Sequence, residues 1–209
     1  MSTLVMKFGG TSVGSAEAIL RATDVVQEHA QQWERLAVVV SAMSGVTDAL
    51  IQSARAAASG DDQAYRAIVA DLRARHHGVV DALLCPEPAE GLTQDSERVR
   101  LLAATDKFLD QLAAFCYSIH ILGEVTPRAM DAVTSLGERI SARIVAAVLR
   151  QRGRSAALDA TELIVTDDKF QNAAPLMDAT RARVSERLVP LLEDGVVPVV
   201  TGFIGATEG

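Results

Sequence analysis

The sequence has few of the features that mark secreted, metal-binding or membrane proteins. Its two cysteines, Cys85 and Cys116, are far apart and lack metal-ligand spacing, so they indicate neither a disulfide framework nor a zinc site. No apolar run of the roughly 18 residues needed to span a membrane is present. Lys7 also lies where a signal peptide would have its apolar region. These absences predict a cytoplasmic protein with reduced thiols.

An excess of positive charge is missing too. The formal net charge of −7 argues against general affinity for nucleic acid or for anionic membranes, so any strong positive field must be local. Neither an internal repeat nor a low-complexity linker interrupts the 209 residues. This length suits one domain or a large part of one.

The spacing of apolar residues places β-strands at both ends of the chain and helices in the middle. Short β-rich runs at 4–8 and 36–41 flank an amphipathic segment that begins near Ser15, which predicts a β-α-β unit with parallel strands. From about residue 48 to 152 the spacing predicts helices, and strand patterns return afterwards. The expected helices are about 48–58, 61–84, 93–122 and 136–152, and the later strands are 155–158, 162–165 and 196–201. This order predicts an α/β fold with a parallel sheet covered on both faces.

Two adjacent histidines, His76 and His77, fall in the second of these helices. Neighbouring positions of a helix do not share a face, so a joint ligand site is not indicated. We expect both side chains at the surface.

A cation and two glycines follow the first apolar run. Lys7 supplies a compact positive charge, and Gly9 and Gly10, which have no Cβ, let backbone N–H groups approach an anion closely. The N-terminus of the expected helix near Ser15 would add a partial positive charge. A phosphate-binding loop and an ordinary glycine turn beside a solvated lysine both fit this pattern.

The whole heptad at residues 7–13, Lys-Phe-Gly-Gly-Thr-Ser-Val, is more specific than the glycine pair. It resembles the opening motif of the aspartate kinases in the amino acid kinase family. Further segments resemble motifs of that family in the same order along the chain. They lie at 38–47, 135–138, 166–170 and 199–205. Because these segments span nearly the whole chain, chance does not account for the likeness.

The resemblance implies a three-layer αβα sandwich with a mostly parallel sheet and a helical region within it. It also implies a reaction, the transfer of the γ-phosphoryl group of ATP, with Mg²⁺, to the β-carboxylate of L-aspartate. The product, 4-phospho-L-aspartate, would serve lysine, threonine and methionine synthesis. Lys7 would be catalytic, and no residue of this chain is assigned to the metal. The implied phosphate-binding residues are Lys7, Phe8, Gly9, Gly10, Thr11 and Ser12.

Hydroxyl groups follow the second predicted strand. Ser41 ends that strand and Thr47 begins the next turn or helix, where doubly wound sheets place their ligands. The spacing alone favours a simpler role, in which Ser44 or Thr47 caps the helix that begins near Asp48. The resemblance implies instead that Ser41 and Thr47 bind the amino-acid substrate.

Glu138 also has two interpretations. Ser135 and Glu138 have the spacing of a capping box, in which both side chains satisfy a helix N-terminus. A carboxylate is equally what an α-ammonium group needs as a partner, and the resemblance implies that Glu138 binds the substrate in this way. By analogy Phe170 would wall the same pocket, although a plain core phenylalanine fits its sequence context as well.

Two other classes of function stay open. A kinase of the same fold could act on glutamate, acetylglutamate or UMP, although the motifs at 41–47 and 135–138 weigh against this. Alternatively, the chain could be a non-catalytic fragment whose exposed sheet edge pairs with another copy or with a partner chain. A substrate panel distinguishes the first alternative from an aspartate kinase. Nucleotide binding together with a size measurement distinguishes the second.

Members of the resembled family continue after the segment at 199–205 into a Gly-rich segment with an arginine and a Ser-Asp pair. A nucleotide-binding half and regulatory domains follow. We therefore interpret residues 1–209 as the N-terminal, amino-acid-binding lobe of a catalytic domain whose later half is absent. The complete protein is expected to be a homo-oligomer.

We expect the 209-residue chain by itself not to turn over ATP and aspartate, because phosphoryl transfer requires metal, nucleotide and acceptor to be held together. A strand at 196–201 without neighbours would also expose an apolar edge that favours association. A coupled assay of ADP release, run beside light scattering, tests both expectations. Aspartate-dependent ADP release by a monomer would contradict them.

Overall fold

The computed structural model describes residues 2–84 and 92–208, with the backbone alone for 92–96. Cys85 lies outside the described residues. Four parallel strands form one sheet in the order β1-β2-β4-β3. They are β1 (Thr3–Phe8), β2 (Arg35–Val40), β3 (Ser155–Leu158) and β4 (Val197–Thr201).

Helices connect these parallel strands. Chain order places α1 between β1 and β2, the next four helices between β2 and β3, and α6 between β3 and β4. Short 3-10 turns precede α1 and follow β3, at Gly10–Val13 and Ala160–Glu162. The α-helices are α1 (Ala16–Ala30), α2 (Val46–Ala58), α3 (Asp62–Leu84), α4 (Leu92–Leu122), α5 (Pro127–Arg150) and α6 (Met177–Glu193).

The two faces of the sheet pack against different helices. Val38 and Val40 of β2 belong to a large buried cluster that includes residues of α1 and α5. Val39 and Val200, which pair in register, belong to a second cluster with Leu188 of α6. Full burial, as for Val38 and Val40, contributes about 1.5–3 kcal/mol for each side chain. The result is an α/β fold with helices on both faces of a parallel sheet, as the sequence predicted.

The helical middle forms a bundle that packs on α5. Helices α2, α3 and α4 contact one another, and both α2 and α4 contact α5. Since α5 also contacts β2, β3 and β4, it is enclosed on most sides and buries a nearly continuous run from Leu136 to Leu149. No helix of the described ranges is both long enough and apolar enough to cross a membrane.

Helix α5 begins earlier than the sequence pattern predicted. Thr126 is its N-cap, and the Thr126 hydroxyl accepts a hydrogen bond from the Ala129 N–H at 3.2 Å. Pro127 follows at the first helical position, where its missing N–H is not needed. Ser135 and Glu138 therefore lie in the helix interior, and the Ser135 hydroxyl donates to the Ala132 carbonyl at 2.8 Å. The capping-box interpretation is wrong.

Two expectations for the last third of the chain also differ from the structure. The segment 162–165 is not a strand, because a 3-10 turn ends at Glu162 and Val165 makes an isolated bridge to Ala206. Helix α6 was not predicted. It buries Thr180 and Leu192 and leaves much of its remaining surface exposed, so its apolar periodicity is weak.

Strand β4 lies inside the sheet. Val38 to Val40 pair with Val199 to Thr201 on one side, and β3 pairs with β4 on the other. The expectation of an exposed apolar edge at 196–201 is therefore wrong, because β3 returns beside β4 and satisfies its second side. The edge strands of the described sheet are β1 and β3.

His76 is buried, contrary to the surface position expected from the sequence. The ring is fully enclosed, and its Nδ1 is 2.7 Å from the Leu72 carbonyl oxygen. Its Nε2 has no hydrogen-bond partner within the described residues. Burial lowers the pKa of His76 below its ordinary value of 6.5. His77 is half-buried, and its Nε2 lies 2.8 Å from an Asp106 oxygen. Helix α3 contacts both α2 and α4, so more than one of its faces is enclosed.

His76 makes stability depend on pH. Because its folded-state pKa is depressed, the unfolded chain takes up a proton first, and the free energy of unfolding falls as pH drops below about 6.5. The His76→Gln variant should lose this slope. His29→Gln is a matched control, since the His29 ring makes a similar contact with the Val25 carbonyl at 2.9 Å. Urea unfolding between pH 5 and pH 8 measures the effect, and equal slopes for wild type and His76→Gln would contradict it.

Candidate functional site

Three strand ends meet at one edge of the sheet. In the parallel register Phe8 pairs with Val40, and Val40 pairs with Thr201, so β1, β2 and β4 end side by side. The segments that follow these ends begin at Gly9, Ser41 and Gly202. The carboxyl edge is where open α/β sheets bind ligands.

The loop after β1 is open to solvent. Gly9 is extended, and a 3-10 turn follows in which the Ser12 N–H donates to the Gly9 carbonyl at 2.9 Å. Ser15 then caps α1, with its hydroxyl accepting from the Ala18 N–H at 3.2 Å. The side chains of Lys7, Thr11 and Ser12 are exposed along this loop. A cation, two hydroxyls and a helix start therefore lie close together along this part of the chain.

The two glycines of this loop have different roles. A Cβ on Gly10 would lie 3.0 Å from the Ala42 carbonyl oxygen, so Gly10 permits close contact with the loop after β2. A Cβ on Gly9 would meet nothing within 4 Å. The surface above Gly9 is therefore open, and a phosphate could approach its backbone there.

The loop between β2 and α2 is tied to the loop after β1. The Ser41 N–H donates to the Phe8 carbonyl, and the Ser44 N–H donates to the Gly10 carbonyl, both at 3.1 Å. Gly45, with φ 77°, is the N-cap of α2 and makes no side-chain cap. The interpretation of Ser44 or Thr47 as a helix cap is therefore wrong. Ser41 and Thr47 are half-buried beside this loop.

Glu138 is a buried carboxylate beside the same loop. It is 7 % exposed, and its Oε1 accepts a long hydrogen bond of 3.4 Å from the Ala42 N–H. Burial raises the pKa of Glu138 above 4.5, against the opposing effect of hydrogen bonds from backbone groups. Within the described residues Glu138 makes no ion pair. A buried carboxylate in this state is suited to receive a cationic group.

Gly137 allows Glu138 to reach the loop. A Cβ at Gly137 would be 2.8 Å from the Ala42 Cβ and 3.2 Å from Val46 Cγ1. Helix α5 can therefore pack directly against the β2–α2 connection. Arg139, the next residue, turns the other way, and its Nε lies 4.0 Å from Asp159. Arg139 is not the partner of Glu138.

Phe203 occupies a position to which the sequence analysis assigned no role. Just after β4, the Gly202 N–H donates to the Val40 carbonyl at 2.8 Å, and Phe203 adopts a left-handed φ of 54°. The Lys7 Nζ lies 4.2 Å from the centre of the Phe203 ring. The sequence signal was an apolar residue directly after a glycine at a strand end.

Phe170 packs beside the first turn of α5. Its ring is 5.6 Å from the Arg128 guanidinium, and the next backbone N–H, of Gln171, donates to Asp131 at 2.8 Å. Arg128 and Glu138 are about 15 Å apart along the helix axis. The structure therefore brings Lys7, Ser41 and Glu138 to one edge and places the Phe170 ring nearer the start of α5.

Carboxylate, imidazole and thiol groups do not form a metal site in the described part of the chain. Within those ranges no three such side chains cluster closely enough to hold an ion. Cys116 is a buried free thiol whose pKa is raised by burial. We therefore assign no described residue of this chain to Mg²⁺.

A family comparison matches nearly the whole chain. Residues 2–209 match the model of the amino acid kinase family. The chain belongs to the amino acid kinase family. This agrees with the parallel sheet, the glycine loop after its first strand and the helices on both faces.

Curated members of the amino acid kinase family similar to this chain include aspartokinases. The sequence is 32% identical to aspartokinase 3, chloroplastic, of Arabidopsis thaliana over 97% of this chain and 34% of that protein. It is 31% identical to the aspartokinase of Chlamydia pneumoniae over 99% of this chain and 40% of that protein. The chain thus spans between about a third and two fifths of the length of these relatives.

Solved structures of this family have the same fold. Aspartokinase III of E. coli in complex with lysine and aspartate superposes with a TM-score of 0.80 at 25% identity, covering 98% of this chain and 41% of that one. The same enzyme in complex with aspartate and ADP gives a TM-score of 0.76 at 26% identity, over 99% and 42% of the two chains.

Gly137 provides a test of the packing that positions Glu138. The Gly137→Ala variant places a methyl group against Ala42 and should lower the free energy of unfolding by about 1–3 kcal/mol. Gly78→Ala is the matched control, because Gly78 lies inside α3 and a Cβ there would meet nothing within 4 Å. That control should stabilise by about 0.5–1 kcal/mol. Chemical denaturation measures both, and a stabilising Gly137→Ala would contradict the close-packing role.

Proposed function

We propose that this chain is the amino-acid-binding part of an aspartate kinase. The enzyme transfers the γ-phosphoryl group of ATP to the β-carboxylate of L-aspartate and forms 4-phospho-L-aspartate, for the synthesis of lysine, threonine and methionine. The observation that carries the proposal is the buried Glu138, which makes no ion pair within the described residues, at the same sheet edge as Lys7 and the glycine loop. The aspartokinase relatives, and the neighbour structure that holds aspartate and ADP, support it.

The loop after β1 binds the phosphates of ATP. Lys7 places its ammonium against the transferred phosphoryl group, where charge is spread over the oxygens in the transition state. The exposed backbone at Gly9, the half-buried Gly10 and the start of the 3-10 turn supply N–H groups, and the Thr11 and Ser12 side chains are exposed along the same loop. The open space above Gly9 fits a phosphate.

The loop after β2 and helix α5 hold the amino acid. Glu138 binds the α-ammonium group, since a desolvated carboxylate gains most from a charged donor. The hydroxyls of Ser41, in this loop, and Thr47, in the first turn of α2, are half-buried and orient the side-chain carboxylate of the substrate. Phe170, whose ring lies 5.6 Å from the Arg128 guanidinium, would wall the amino-acid pocket on the side toward the start of α5.

In the complete enzyme, residues 1–209 form the amino-acid-binding lobe, and the helical region lies within this lobe. The complete enzyme works in the cytoplasm as a homo-oligomer and uses Mg²⁺ with ATP. A kinase of the same fold for glutamate, acetylglutamate or UMP is the alternative outcome of a substrate panel. Aspartate-dependent ADP release by the full-length enzyme supports the proposal, and a preference for another acceptor overturns it.

Replacing Lys7 with Met tests the phosphate loop. Methionine keeps the apolar stem and removes the charge, so kcat of the full-length enzyme should fall on the order of 10²-fold or more, equivalent to about 3 kcal/mol of transition-state stabilisation. The melting temperature should change little, because the Lys7 side chain is exposed. Lys107→Met on α4 is the control for removing a lysine charge. Near-normal turnover by Lys7→Met would make Lys7 an ordinary surface cation.

Replacing Glu138 with Gln tests ammonium binding. The change should weaken aspartate binding without lowering the stability of the fold. The amide cannot pair fully with an ammonium group, so the aspartate KM should rise at least tenfold. Burial raises the folded-state pKa of Glu138. The contribution of the protonated Glu138 side chain to the free energy of unfolding is therefore fully present below about pH 4.5, and it is lost as pH rises through the folded-state pKa. Glu138→Gln should therefore unfold at the same or a higher temperature at pH 7.

An exposed carboxylate serves as the control for this charge change. Glu28→Gln on the surface of α1 should alter neither aspartate saturation nor the pH dependence of melting. Steady-state kinetics of the full-length enzyme and thermal melts from pH 4 to pH 8 are the measurements. A lower melting temperature for Glu138→Gln together with normal aspartate saturation would give Glu138 a structural role instead.

A further inference from the structure

An exposed aromatic ring covers the cation of the phosphate loop. Phe203 is 83% exposed, more than any other large apolar side chain of the described residues. Its ring centre lies 4.2 Å from the Lys7 Nζ, well within the distance of about 6 Å at which an ammonium interacts with an aromatic face. Within the described residues, the cation that this ring contacts is the Lys7 ammonium.

The contact crosses the strand between its two partners. Lys7 lies on β1 and Phe203 follows β4, and both strands pair with β2. The strands β1 and β4 are two strand spacings, about 10 Å, apart. Lys7 and Phe203 therefore meet across β2, near the sheet edge where the loops after β1 and β2 begin.

The backbone holds Phe203 in an uncommon conformation. Its φ of 54° is left-handed, which is rare for a residue with a Cβ and costs about 1–2 kcal/mol. The preceding Gly202 fixes the turn, because its N–H donates to the Val40 carbonyl at 2.8 Å and a Cβ there would lie 3.0 Å from that oxygen. Backbone strain of this kind is often found at functional sites.

We propose that Phe203 is a positioning residue for Lys7. The aromatic face holds the ammonium over the end of β2 without supplying a hydrogen-bond acceptor, so N–H donors of Lys7 stay available for phosphoryl oxygens. The ring also restricts a long, flexible side chain before the phosphate arrives. This inference rests on the proposed function, in which Lys7 faces the transferred phosphoryl group.

The contact itself is tested by NMR on the 209-residue chain with selectively ¹³C-labelled lysine. The sequence has three lysines, Lys7, Lys107 and Lys169, so the Cε–Hε region contains few signals. Protons above an aromatic face shift upfield, and the Lys7 signal, assigned from the Lys7→Arg spectrum, should lie upfield of the other two. Phe203→Leu should remove this shift and Phe203→Tyr should keep it. An unshifted Lys7 signal in the wild-type chain overturns the inference.

The role is tested by kinetics of the full-length enzyme. Phe203→Leu keeps an apolar side chain and should lower kcat about two- to fivefold, the factor that an exposed cation–π contact supplies, with the aspartate KM unchanged. Phe203→Tyr should restore kcat. Tyr117→Leu, an exposed aromatic on α4, is the matched control. Normal kcat for Phe203→Leu, or a changed aspartate KM without rescue by tyrosine, overturns the positioning role.

The two proposals fail in different ways. If Lys7→Met loses turnover while Phe203→Leu does not, the positioning role is wrong and the aspartate kinase function stands. If Lys7→Met retains turnover, the role of Lys7 in the proposed function is wrong, whatever the NMR shift shows. Melting temperatures of the Phe203 variants check that each variant folds.

Discussion

The close approach of three chain segments to the end of β2 is the constraint on which the site depends. Gly10 after β1, Gly137 on α5 and Gly202 after β4 lie against residues 40 and 42, where a Cβ would fall 2.8 to 3.0 Å from an existing atom. Because each glycine lacks a Cβ, its segment can pack directly against the end of β2 and the loop that follows it. The phosphate loop, the buried carboxylate and the turn carrying Phe203 are thereby held around one strand end.

This arrangement brings groups together that would be unfavourable elsewhere. Glu138 is a buried carboxylate that accepts a long hydrogen bond from the Ala42 N–H, and Phe203 has a left-handed backbone. Packing elsewhere supplies the stability that these features reduce, since α5 is enclosed between the sheet and the helical bundle. Unfavourable burial and backbone strain concentrated at one sheet edge are typical of binding and catalytic sites.

Local patterns and tertiary contacts explain different outcomes of the sequence analysis. The β1-α1-β2 unit and the helices α2 to α4 were predicted from their apolar residues. These residues recur at helical spacing in the helices and form short β-rich runs in the strands. The start of α5 was misplaced because the Ser135 to Glu138 spacing imitates a cap, whereas Thr126 and Pro127 begin the helix. Helix α6 was missed because it covers one face of the sheet with few buried residues.

The sequence by itself determined the parallel α/β class, the family resemblance and the candidate residues Lys7, Gly10, Ser41 and Glu138, because these depend on local order along the chain. Only the tertiary structure decided that β4 lies between β2 and β3, that Glu138 is buried beside Ala42, and that Phe203 covers Lys7. Strand order and contacts between distant segments are set by how whole elements pack together. No local spacing encodes that packing, and it is what brings the ends of β1, β2 and β4 to one edge.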